Sequence, residues 1–133
     1  MLAALSFYGD RMQRDMELVI KILDFLEKRD DISVIEKLQI DGYDDRVVAY
    51  HLRRMFEAGL LDAESTNSKT TPERIITVYP FGLSWEGHEF LDSMRNETVA
   101  AQVRSKLGST LANVPFTIIR ELALTLGRAQ VGL

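Results

Sequence analysis

The side chains best placed to do chemistry are cations. Arg46, Arg53 and Arg54 fall within one predicted helix, and Lys69 and Arg74 flank a polar loop further on. With Tyr50 between the arginines, this set has the composition of a phosphate-contacting surface, because guanidinium and ammonium groups pair with phosphate oxygens whatever the base sequence. An ordinary solvated face has the same composition, and both readings stand at this point. Other chemistries find less material. The two histidines, His51 and His88, lie far apart, each beside core positions of a helix, and read as structural residues rather than ligands or bases. Asp30-Asp31 and Asp44-Asp45 sit at helix ends, where paired carboxylates act as caps and solvated turns. The chain has no cysteine, so it has no disulfide, thiolate nucleophile or cysteine metal site. No glycine-rich phosphate loop, nucleophile elbow or kinase motif occurs. Neither an enzyme nor a bound cofactor is expected.

These residues must be positioned by elements that the apolar pattern predicts. Met16, Val19, Ile20, Leu23 and Leu26 form a stripe at helical spacing, predicting a helix over 14–29 that ends at Asp30 and Asp31. Residues 34–40, with Leu38 and Ile40 alternating about Gln39, suggest a short strand. Asp44 is an N-cap for a second helix reaching Ala58, with Val48, Leu52 and Met55 inward and Val47 and Ala49 on the outward, reading face. Gly59 closes that helix. Leu60 and Leu61 start a strand, 65–73 is a polar tip, and Ile75, Ile76, Val78 and Tyr79 return toward Leu83. Ser84 caps a long helix over 85–107, which Asn96 bends or breaks and Gly108 stops. Trp85 is taken as a core anchor beneath the hairpin. A last helix runs from Pro115 to about residue 129.

A helix running through Gly-Leu-Leu into a two-stranded hairpin is the arrangement of a winged helix-turn-helix. The expected fold is therefore mainly α with a small β-wing, an α+β winged helix-turn-helix with extra C-terminal helices. Residues 12–107 would form the winged-helix domain, 108–133 an oligomerisation element, and 1–11 an N-terminal extension.

Two segments carry a resemblance. Tyr50-His51-Leu52 followed by Glu57-Ala58-Gly59-Leu60 resembles the recognition helix and first wing strand of ArsR- and PadR-type repressors. Leu83-Ser84-Trp85-Glu86-Gly87 is similar to the start of their next helix. A broader resemblance begins at Met12-Gln13-Arg14-Asp15-Met16-Glu17-Leu18 and includes Ile40-Asp41-Gly42-Tyr43, Trp85 to Asp92, Val114-Pro115-Phe116 and Arg120-Glu121-Leu122-Ala123. It is to an uncharacterised bacterial and phage family, domain of unknown function 2513. That resemblance implies a fold and a mobile-element context, without an activity. The repressor likeness implies double-stranded DNA as partner. Val47 and Ala49 cannot hydrogen-bond a base edge, so binding is expected to be weak and phosphate-dominated. The alternative is a protein–protein interaction module on the same fold.

Charge bears on both readings. The chain carries a net −4 with a pI near 5.2, which disfavours a dedicated nucleic-acid binder. Its C-terminal part is locally basic, with Arg104, Lys106, Arg120 and Arg128 against Glu121 alone. The predicted last helix is apolar on most sides, and Phe116, Ile119, Leu122 and Leu126 are the expected contacts of a homodimer. No apolar run is long enough to span a membrane. The start, 1–5, lacks the basic flank of a signal peptide. A soluble cytoplasmic protein is expected.

Overall fold

The chain was described with a computed structural model covering residues 12–133. The N-terminal extension expected at 1–11 lies outside the described residues. Among the described residues, five helices and one hairpin follow in order: α1 (Met16–Glu27), α2 (Asp45–Glu57), β1 (Leu61–Asn67), β2 (Ile75–Leu83), α3 (Trp85–Arg95), α4 (Glu97–Leu107) and α5 (Phe116–Gln130), with a 3-10 turn at Gly108–Ala112 before α5. The fold class is mainly α with a small antiparallel sheet, and the topology is winged-helix-like.

Local chemistry sets most boundaries. The Asp15 carboxylate accepts the N–H groups of Glu17 and Leu18 at 3.0 and 3.3 Å and starts α1. Asp44 does the same for Arg46 at 2.8 Å and starts α2. Gly59, with φ +80°, reverses the chain into the wing. The Ser84 hydroxyl accepts the Gly87 N–H at 3.0 Å and donates to the Gly59 carbonyl, so one side chain fastens the start of α3 to the end of α2.

The core lies where α1, α2, the wing base and α3 to α5 converge. Leu18, Ile22 and Leu23 of α1, Val48 of α2, Phe90 and Leu91 of α3, Val99 and Val103 of α4 and Ile119 of α5 are fully buried. Each large aliphatic or aromatic side chain buried this way contributes about 1.5–3 kcal/mol. Phe90 and Phe116 meet edge to face with ring centroids 5.2 Å apart, which seats α5 on α3.

Several expectations are corrected. Helix α1 ends at Glu27, ahead of Asp30 and Asp31. Residues 34–40 form no strand. The segment bends at Glu36 and Lys37, and the Ile35 N–H donates to the Pro80 carbonyl at 2.9 Å. Pro80 has no N–H to return, so this edge of the wing cannot continue as a ladder through that residue. Strand β1 reaches Asn67, so the wing tip begins at Ser68 rather than Ser65. The long helix is two helices. Asn96, at φ −69° and ψ 115°, leaves the helical region, and its side chain accepts the Val99 N–H at 3.1 Å as the cap of α4. Trp85 is 75% exposed and anchors no core.

An ion-pair cluster ties α1 to α3. Arg95 bonds Glu27 through both terminal nitrogens and reaches Asp24 at 3.2 Å, while His88 Nδ1 stands 3.8 Å from Glu27. Hydrogen bonds from Lys28, and then from Arg95, hold the Asp24 carboxyl below its ordinary pKa of 3.8. A hydrogen bond from Arg95 does the same for Glu27, whose ordinary value is 4.5. A carboxyl with a lowered folded pKa adds stability above its unfolded value and loses it as pH falls through the folded one. Arg95→Ala is therefore expected to lower stability at neutral pH by about 1 kcal/mol or less, given the partial exposure. The gap from wild type should narrow as pH drops below about 4. Urea melts at several pH values check this, and a gap that does not change with pH would refute it.

Candidate nucleic-acid interface

Helix α2 turns its sides to different environments with a clear phase. Val47, Val48, His51, Leu52 and Met55 are buried, and Arg46, Ala49, Arg54 and Glu57 are exposed with Tyr50 and Arg53 at the margin. Val47 is therefore not on the reading face. It lies one position from Val48 and four from His51, so it continues the inward stripe, a phase the helical period could have supplied. Its removal leaves Ala49 as the only aliphatic residue outward.

The outward arginines are organised about Tyr50. The guanidinium carbons of Arg53 and Arg54 stand 5.5 and 5.2 Å from its ring centroid. Arg54 also donates to Glu57 at 2.9 Å. Tyr50 and then Glu57 hold its guanidinium above the ordinary pKa. Arg46 folds back on Asp44 at 3.3 Å. The backbone N–H and then the side chain of Arg46 depress the Asp44 carboxyl. Asp45 faces Lys37 at 3.2 Å. Asp44 and Asp45, whose free carboxylates would repel a phosphate, are thus already engaged. Arg53 has no carboxylate partner among the described residues.

Lys69 and Arg74 are exposed in the loop between β1 and β2. That loop is shaped by hydrogen bonds from the Asn67 amide to the Pro72 carbonyl at 2.8 Å and from the Ser68 N–H to the Arg74 carbonyl at 2.9 Å. The two cations therefore sit at the wing tip and the other four candidates on α2, which joins the wing at its base. A depression of about 800 Å³ along α4, between Met94 and Ser105, contains none of them.

Behind this face lies an arrangement the sequence reading missed. His51, 1% exposed, accepts the Asp15 N–H at Nε2 (2.8 Å), so its proton sits on Nδ1, which donates to the Val47 carbonyl at 2.8 Å. The preceding residue, Arg14, donates to the carbonyls of Leu111 and Val114 at 2.7 and 2.5 Å. Burial lowers its pKa. Residues 14 and 15 therefore tie the start of α1 to α2 on one side and to the turn before α5 on the other. The acceptors are two backbone carbonyls for Arg14 and a buried ring nitrogen for Asp15, and no sequence pattern marks these pairings.

Of the expected dimer contacts, Ile119 is fully buried in its own chain, and Phe116, Leu122 and Leu126 are partly buried. Ile119 is unavailable to a second copy because α5 lies along α3 and α4. Among the described residues no helix is long and apolar enough to cross a membrane.

Residues 13–110 match the family described as "Hypothetical protein (DUF2513)". The match stops before the Val114-Pro115-Phe116 and Arg120 to Ala123 segments that also carried the resemblance. An uncharacterized protein of Haemophilus influenzae is 29% identical over 120 residues, covering 86% of this chain and 95% of that protein. No solved structure matches the chain.

Proposed function

The chain belongs to the DUF2513 family, and from that premise we propose that it is a duplex-DNA-binding protein of winged-helix type, a regulator from a phage or other mobile element. The observation that carries this reading is the outward face of α2, with Arg46, Tyr50, Arg53 and Arg54, on a helix that runs directly into a wing tipped by Lys69 and Arg74. Phosphate contact dominates, because Ala49 offers no hydrogen bond to a base edge and the arginines pair with phosphate oxygens whatever the base sequence. Anisotropy of a labelled random duplex at low salt tests it. Arg53→Ala with Arg54→Ala should weaken binding and flatten the salt dependence by about one unit of slope per lost phosphate contact. If micromolar protein leaves the duplex free, the DNA reading fails.

Dimerisation through α5 accompanies this proposal. Ile118 is 49% exposed, and Phe116, Leu122 and Leu126 keep part of their surface open, so a two-fold contact would cover an apolar strip and present two copies of α2. Light scattering should give twice the chain mass at micromolar concentration and the single-chain mass for Ile118→Glu. A monomeric wild type would end the dimer reading and leave DNA binding to be judged on its own.

A further inference from the structure

The outward face of α3 points to a second interaction. We propose that Trp85, Glu86, Glu89 and Asp92 form a docking surface for an arginine-rich segment of a protein partner. This surface is separate from α2 and does not depend on the DNA reading.

Trp85, Glu89 and Asp92 are spaced i, i+4, i+7, so they form one stripe, and Glu86 flanks it. All four are exposed, while Gly87, Phe90, Leu91 and Met94 face the core on the other side. Trp85 leaves three quarters of its surface in water. An indole gains on being covered, and an exposed one flanked by carboxylates is not explained by core packing. The helix dipole accounts for Glu86 in the first turn, but not for Glu89 or for the indole. Glu86 and Glu89 form no ion pair among the described residues, and Asp92 shares Arg95 at 3.5 Å.

Charge selects the occupant. Glu86, Glu89 and Asp92 make this face acidic, which disfavours phosphate backbones and anionic lipid surfaces, so neither DNA nor a membrane suits it. A guanidinium suits both components. It stacks on the indole, for which tryptophan is the best partner, and it meets a carboxylate through two parallel hydrogen bonds. Arginine is favoured over lysine for the same two reasons.

Trp85 is the only tryptophan in the chain, so its emission reports on this face directly. Full-length protein is titrated with a peptide of alternating arginine and alanine, and with its glutamate counterpart as control. The arginine peptide should shift the emission saturably, less so at high salt, and the glutamate peptide should not. Glu86→Gln with Glu89→Gln should abolish most of the shift. Trp85→Leu, followed by calorimetry, should weaken binding roughly three- to thirty-fold. Both sets of changes are at exposed positions, so folding is not at issue. The proposal is overturned if the arginine peptide gives no shift, if both peptides act alike, or if the glutamine variant responds as wild type does. A shift on concentrating the protein alone would assign the face to a second copy, and a shift with duplex DNA would assign it to nucleic acid. Either result also overturns the proposal.

Discussion

Replacing Gly87 with alanine is expected to destabilise the protein by about 3 kcal/mol or more, the upper range for overpacking. A Cβ at this position would lie 2.1 Å from the Leu60 carbonyl oxygen and 3.1 Å from its carbon. That oxygen cannot move aside, because it accepts the Ser84 N–H at 3.1 Å at the point where the wing meets α3. Either the first turn of α3 lifts away from the wing or the Ser84 cap opens. Gly127→Ala is the control. Its Cβ would meet the Ser93 hydroxyl at 3.1 Å and the Ser93 Cβ at 3.6 Å, a side chain that can rotate. In the interior of α5, that change should range from neutral to a gain of about 1 kcal/mol. Thermal melts of the two variants should therefore move apart, with Gly87→Ala lower by roughly 10 °C or more. Similar melting temperatures for the two would refute the close approach.

His51→Ala is expected to cost about 3 kcal/mol, by two separable routes. One is the cavity left by a buried ring. The other is the Asp15 N–H, which loses its acceptor beside the cap of α1. His51→Phe keeps the ring volume and removes the acceptor. His51→Gln places an oxygen near the former Nε2. Denaturant melts should rank the variants wild type, Gln, then Phe and Ala. If Phe equals wild type, the hydrogen bond to Asp15 contributes nothing. The same bond positions α2 against α1, so the duplex affinity of the Gln variant should stay within about threefold of wild type, a shift of less than 1 kcal/mol.

Capping chemistry was the most legible part of this fold. Asp44, Gly59, Ser84, Asn96 and Gly108 are local signals, and each marks a real boundary. The wing was legible because β-branched and aromatic residues crowd 75–79 after a polar loop. Orientation was read less well. The type of residue 85, a tryptophan, suggests an inward anchor, yet Phe90, Leu91 and Met94 already define an inward direction that places position 85 on the far side. Val47 was missed in the same way. Ile119 was grouped with its apolar neighbours on α5, and only the packing of α5 against α3 and α4 separates it from Ile118. The segment 34–40 has strand-like alternation, but pairing depends on the neighbour, and the neighbour is a proline. For the candidate site, the sequence located the cations. It could not show that Asp44, Asp45 and Glu57 hold three of the surrounding cations, because that is decided by rotamers and not by spacing.

The break at Asn96 also governs how the chain can assemble. A straight helix over 85–107 would extend roughly 35 Å, about the width of a small domain, and would carry everything beyond it into solvent. One non-helical residue instead folds α4 and α5 back over α3. All the covalent connection between this arm and the rest of the domain passes through that residue, while the arm's attachment is otherwise noncovalent: the α5 packing, Phe116 on Phe90, and the Arg14 clamp on the carbonyls of Leu111 and Val114. A short hinge with a separable arm is the geometry of domain swapping, in which a neighbour's arm makes the same contacts with no new interface chemistry. Exchange of that kind would require only that position 96 adopt helical angles, so the backbone preference of this one residue decides how firmly the arm stays with its own chain.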